Sequence, residues 1–142
     1  MSEQTAARKE YEKLREKHDL PSLEVLEKEF EFALEEPNEV IKEVTSQIWD
    51  KLGNIKLYIE GVLHPQRYCC MLETNFLNKK SKEKVYNVYK KIMTEYWKTA
   101  KAAYQTKSKR AERIKENYEF YQEIKKFAVK YCDKMVEGWS EE

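Results

Sequence analysis

At 142 residues the chain has room for one hydrophobic core and not for two, a length at which folding buries about 70% of the surface the unfolded chain exposes. Charged residues make up 37% and apolar residues 41%, and ten tyrosines, five phenylalanines and three tryptophans supply enough buryable surface to exclude a disordered chain. The formal net charge of +1 hides a dipole, because residues 1–64 hold 9 basic and 15 acidic side chains while residues 65–142 hold 18 and 11.

Only three glycines and three prolines interrupt the sequence, too little turn chemistry for a sheet of short strands. The expectation is an all-α multi-helix bundle of about five to six helices, forming a single domain over 1–142. A first helix is predicted near 3–18, with residues 1–20 a loosely packed N-terminal element. There Arg8, Lys9, Lys13, Arg15 and Lys17 interleave with Glu3, Glu10, Glu12 and Glu16, which leaves no apolar stretch of a signal peptide. A cytoplasmic protein is expected, and no apolar run approaches the roughly 20 residues that span a bilayer.

Pro21 opens a second helix near 22–34. Within it Phe30-Glu31-Phe32-Ala33-Leu34 alternates like a strand, while Leu23, Leu26, Phe30 and Leu34 also fit a helix face. Residues 30–36 are therefore open between helix and an extended tail. Pro37 and Asn38, a candidate N-cap, begin a third helix over 38–63 that His64-Pro65 closes, since a residue before proline avoids the α region. Ile41, Val44, Ile48, Leu52, Ile55, Ile59 and Val62 recur every three or four positions along it and predict the spine of the core. Gly53 lies inside this helix at a cost of about 1 kcal/mol relative to alanine, which points to a bend or a close helix crossing, the crossing being the favoured reason.

From Gln66 to Glu137 there is neither proline nor glycine, yet one helix of that length would extend on the order of 100 Å. Breaks are predicted at Asn78-Lys79-Lys80-Ser81, with Ser81 as cap, and at Thr106-Lys107-Ser108, with either hydroxyl as cap. This divides the region into a short helix near 66–77 and two long antiparallel ones near 81–105 and 108–137. Val85, Tyr89, Ile92, Tyr96, Ala100 and Ala103 would line the first long helix, and Ile114, Tyr118, Tyr121, Ile124, Ala128, Tyr131 and Met135 the second. Trp49 reads as core, Trp139 as a terminal clasp or contact, and Trp97 as either core or interface.

The chemistry of catalysis is thinly represented. Cys69, Cys70 and Cys132 do not make a disulfide framework, and with only His18 and His64 beside them the chain falls short of the four ligands of a structural zinc centre. Reduced, structural cysteines are expected, with no metal and no cofactor. Glu60 stands four residues before His64, not the three of a di-metal carboxylate bundle, and His64 near Cys69 in sequence does not by itself make a nucleophile and base. No G-x-G-x-x-G motif or P-loop is present. A non-enzymatic protein is the expectation.

The charge distribution carries the functional reading. Residues 79–115 hold 13 basic side chains against Glu83, Glu95 and Glu112. Lys80, Lys84, Asn87, Lys91, Thr94, Lys98 and Lys101 follow helical spacing, a polar stripe without a carboxylate, which Lys107, Lys109, Arg110 and Arg113 extend. Such a face suits an acidic protein partner, or the acidic N-terminal half of the chain itself, met within the chain or across a homodimer. It also suits non-specific nucleic-acid binding, with Tyr86, Trp97 or Tyr104 available for stacking. Lysine outnumbers arginine and no helix-turn-helix or RNA module is evident, so specific base reading is not expected. A plain solvated face is the competing explanation.

Leu20-Pro21-Ser22-Leu23-Glu24 leading to Glu29-Phe30-Glu31-Phe32, the segment Val88-Tyr89-Lys90-Lys91-Ile92-Met93 and the closing Trp139 together resemble a group of small, helical, uncharacterised archaeal proteins. The resemblance implies a helical cytoplasmic protein of archaeal origin. It rests on packing patterns and transfers no activity and no catalytic residue.

Overall fold

In the computed structural model, which describes residues 3–141, the chain forms six α-helices and two 3-10 turns, with no strand among the described residues. The ends of the expected 1–142 domain, residues 1, 2 and 142, lie outside the described part. Helix α1 (Glu3–His18) stops where Asp19 takes a left-handed backbone conformation (φ 54°), and the Leu20 amide reaches back to the Arg15 carbonyl at 3.1 Å. The helix is not loosely packed as expected. Ala7 and Tyr11 are fully buried, and the Tyr11 hydroxyl donates to the Pro21 carbonyl at 2.6 Å. Ala7, Tyr11 and Leu14 make a narrow apolar row that suffices to dock a helix otherwise covered in charge.

Ser22 accepts a hydrogen bond from the Val25 amide and starts α2 (Leu23–Leu26), which ends after 4 residues instead of continuing to 34. The chain then runs extended through Phe30–Leu34, with Phe30 and Leu34 buried and Glu31 and Ala33 in solvent. An extended backbone puts alternate side chains on one side, so Phe30, Phe32 and Leu34 all reach the core, which a helix would not allow. Phe30 packs against Tyr121 with ring centroids 5.1 Å apart.

A 3-10 turn (Pro37–Glu39) leads into α3 (Val40–Leu63). Asn38 lies within that turn and no side chain caps the helix, contrary to the expected N-cap. The predicted spine is buried along its whole length and Val40 extends it. Helix α3 is central, packing against α1, α4 (Tyr68–Glu73), α5 (Lys79–Ala102) and α6 (Lys107–Ser140). Gly53 marks no close crossing: a Cβ added there would meet no atom within 4 Å.

Asn78, not Ser81, caps α5, its side-chain oxygen accepting from the Ser81 amide at 2.8 Å. Thr106 caps α6 by accepting from the Lys109 amide. The two long helices are antiparallel neighbours, as their contacts step in opposite directions, from Thr99 with Arg113, through Lys91 with Glu123, to Ser81 with Lys134. The core row of α5 differs from the expected one. Tyr96 is 45% exposed and Ala103 is exposed, whereas Val85, Val88, Ile92 and Ala102 are buried, with Glu95 and Thr99 on the same side. The apolar pattern drew the row one residue out of register because two polar residues occupy the inward positions. On α6 the inward row is Ala111, Ile114, Asn117, Tyr121, Ile124 and Tyr131, with Tyr118, Ala128 and Met135 at its edges.

Candidate interaction surface on helix α5

Two consequences follow from turning Val85, Val88, Ile92 and Ala102 inward: one flank of α5 presents lysines, and its outer side presents aromatics. Lys80, Lys84, Lys91, Lys98 and Lys101 are all exposed. Lys91 meets Glu123 of α6 at 3.4 Å, with both side chains more than half exposed, an arrangement that salt and solvent screen strongly. Lys80, Lys84, Lys98 and Lys101 make no ion pair among the described residues.

The remaining four expected contact residues are each engaged by other groups, Lys107 and Lys109 while still exposed. Lys107 pairs with Glu10 of α1 at 2.9 Å, and Lys109 lies 4.0 Å from Glu112 on its own helix. The Arg110 guanidinium donates to the Gln105 carbonyl at 2.9 Å. Arg113 is drawn inward, its side chain only 12% exposed, to Glu95 and Glu116, and it also reaches the Thr99 hydroxyl. Arg110 and Arg113 instead border a cleft of about 400 Å³ between the start of α3 and the α5–α6 turn, beside Lys42, Thr45 and Ser46.

Sequence reasoning placed Tyr86 and Trp97 beside the lysines but passed over Lys90 and Met93. These residues, with Tyr89, Lys98 and Lys101, line an open groove of about 660 Å³ along α5. The missed signal was a second row at helical spacing, 86, 90, 93, 97 and 101, displaced around the helix from the lysine row. The rows meet at Lys101, and Lys98 of the lysine row borders the same surface. Tyr86 is 51% exposed and Trp97 64% exposed, and the Lys90 ammonium sits 4.9 Å from the Tyr86 ring centre. Trp97 is braced from behind: its ring meets Tyr96 edge-on at 5.3 Å, and Tyr96 meets the half-buried Trp49 at 5.6 Å. At the groove wall the Tyr89 hydroxyl donates to Glu60 at 3.1 Å, and its pKa is raised by partial burial and by that carboxylate.

Trp139 acts as the expected clasp, its indole donating to Glu73 at 2.8 Å and its ring meeting Phe76 edge-on. Among the described residues no helix is long and apolar enough to cross a membrane. No known protein family, curated protein or solved structure matches the chain.

Proposed function

We propose that the chain is a non-enzymatic interaction protein that holds an acidic protein segment along α5. The observation carrying this reading is the exposed, braced Trp97 with Tyr86 and Met93 on a shallow open surface of α5 that Lys90, Lys98 and Lys101 also line. Exposed aromatics and methionine are enriched where proteins bind one another, and a buried aromatic anchor commonly carries most of an interface's energy. Neighbouring lysines steer an acidic partner toward such an anchor and fix its orientation. The chain has an acidic stretch of its own, Glu31, Glu35, Glu36 and Glu39, all exposed, so self-association through a second copy is one form this binding can take.

A second reading has a specific observation behind it. Tyr104 is 93% exposed at the end of α5, and with Tyr86 and Trp97 it offers ring faces beside lysines, as single-stranded nucleic acid requires. Both arginines that would strengthen phosphate contacts are committed elsewhere, so the protein reading is preferred.

The test titrates the full chain with a fluorescent Glu-rich peptide carrying one leucine or phenylalanine, and separately with mixed-sequence single-stranded RNA. The expected result is saturable peptide binding, weakened at least tenfold, about 1.4 kcal/mol, by Trp97→Ala and abolished by K84E/K91E/K98E/K101E with helicity unchanged. RNA binding that exceeds peptide binding would shift the assignment to the second reading. Indifference of both probes to these substitutions would remove the α5 face from consideration.

A further inference from the structure

The short helix α4 carries two adjacent cysteines and, one turn later, a carboxylate. Residues three and four apart share a helix side, so Glu73, which follows Cys69 by four positions and Cys70 by three, falls between the two thiols around the axis. The two Sγ atoms are 4.0 Å apart, and a Glu73 carboxylate oxygen and both sulfurs all lie within 4.8 Å of one another. Two of the three donors are held from outside the helix, while Cys69 faces solvent. Cys70 is buried against α3 at Gly61, where even an added Cβ would come within 2.9 Å of its sulfur. The Glu73 carboxylate is oriented by the Trp139 indole from α6 at 2.8 Å. An Arg67 guanidinium nitrogen stands 3.8 Å from the Cys70 sulfur.

This pair is poorly disposed to form a disulfide. Neighbouring Cα atoms are about 3.8 Å apart across a trans peptide, less than the roughly 4.4 Å at which disulfide-bonded pairs begin. The separation suits a metal better. Zinc–thiolate bonds of about 2.3 Å place two sulfurs of a tetrahedral centre roughly 3.8 Å apart, close to the spacing already present.

We propose that Cys69, Cys70 and Glu73 form a binding site for one thiophilic divalent cation of the zinc type. Two thiolates and one carboxylate supply three ligands, and the exposed side at Cys69 leaves the fourth position to water. Binding releases the two thiol protons and transfers no electrons. Two thiolates and a carboxylate exceed the charge of a divalent ion by one, and Arg67 beside Cys70 supplies the balancing positive charge. The sequence alone pointed away from zinc because it counted cysteines and histidines; the third ligand here is a glutamate brought into place by the helix.

The experiment titrates the reduced full-length protein with Cd²⁺, following thiolate-to-metal charge-transfer absorption and tryptophan fluorescence, which Trp139 beside Glu73 makes responsive. One Cd²⁺ per chain is expected, with the softer Cd²⁺ giving way only to a large excess of Zn²⁺ at this thiolate site. Cys69→Ser and Cys70→Ser should each abolish the band, Glu73→Gln should weaken binding at least about tenfold, and Cys132→Ser should change nothing. Because Cys69 is exposed, its serine variant keeps the fold and tests the site even if the Cys70 variant unfolds. The absence of a saturable band, a band surviving Cys69→Ser, or affinity unaffected by Glu73→Gln would overturn the proposal.

Discussion

Arg113 fastens α5 to α6 by charge at a place where the two helices would otherwise meet through apolar residues. Glu95 is 13% exposed on its side chain and faces the guanidinium, the Thr99 hydroxyl donates to Asn117 at 3.0 Å, and Asn117 itself is fully buried, its amide nitrogen without a hydrogen-bond partner among the described residues. Removing Glu95 leaves the largely buried Arg113 only the more exposed Glu116 as an acidic partner, so Glu95→Ala should lower unfolding free energy by about 1–2 kcal/mol in denaturant titrations. Replacing both Glu95 and Arg113 by leucine should cost much less, since a well-packed apolar pair substitutes for an ion pair that already carries a desolvation penalty. Glycines divide in a comparable way. Gly53 is helical with open space where a Cβ would go, so Gly53→Ala should stabilise by roughly 0.5–1 kcal/mol. Gly61→Ala should destabilise, because its methyl would press on the Cys70 sulfur; paired thermal melts of the two variants check both signs.

Helix α5 is the element in which packing and recognition are separated by rotation about one axis. Its inward row holds Val85, Val88 and Ile92, while Tyr86 and Trp97 look outward. Trp97 touches Tyr96 but lies outside the core, so Trp97→Ala should change stability by less than about 1 kcal/mol, the usual range for surface positions. Ile92→Ala, from a fully buried position on the same helix, should cost about 3 kcal/mol. Measured side by side by circular dichroism and denaturant unfolding, the pair distinguishes an interface tryptophan from a core one. A loss of several kcal/mol in the Trp97 variant would place that ring in the core and remove the proposed anchor.

Across the whole molecule, part of the charge asymmetry is resolved internally. Lys107 with Glu10, Lys115 with Asp19 and Lys125 with Glu29 join the basic α6 to carboxylates of the N-terminal half, while the α5 lysines face outward. Raising salt to about 1 M, where charges are screened beyond roughly 3 Å, should therefore weaken binding at α5 far more than it shifts the melting temperature. One pH limit of the fold lies at the alkaline end. Burial, the leading cause in both cases, raises the pKa of Tyr11 and Tyr131, and the nearby Glu73 carboxylate adds to the rise at Tyr131. Each phenol stays protonated in the fold after the unfolded chain has begun to lose its proton near pH 10, so its contribution is intact below about that value and declines as pH rises further. Denaturation monitored from pH 8 to 12 should show stability falling above pH 10, with a shallower fall in Tyr11→Phe.

Much of this organisation is fixed by local pattern. The spacing of Ile41 through Val62, the lack of breakers after Pro65 and the capping residues near 78 and 106 determine helices, their order and the spine, because periodic burial and capping act over a few residues. The stripe of lysines could be read for the same reason. Tertiary structure alone decided the rest. It stopped α2 at Leu26 so that Phe30 and Leu34 could reach the core, turned Glu95 inward and Tyr96 outward, and drew Arg113 off the surface. Each of these outcomes depends on what a distant segment places opposite the residue, since whether a polar side chain can be buried, or an apolar one left in water, is settled by its partner and not by its neighbours in the chain.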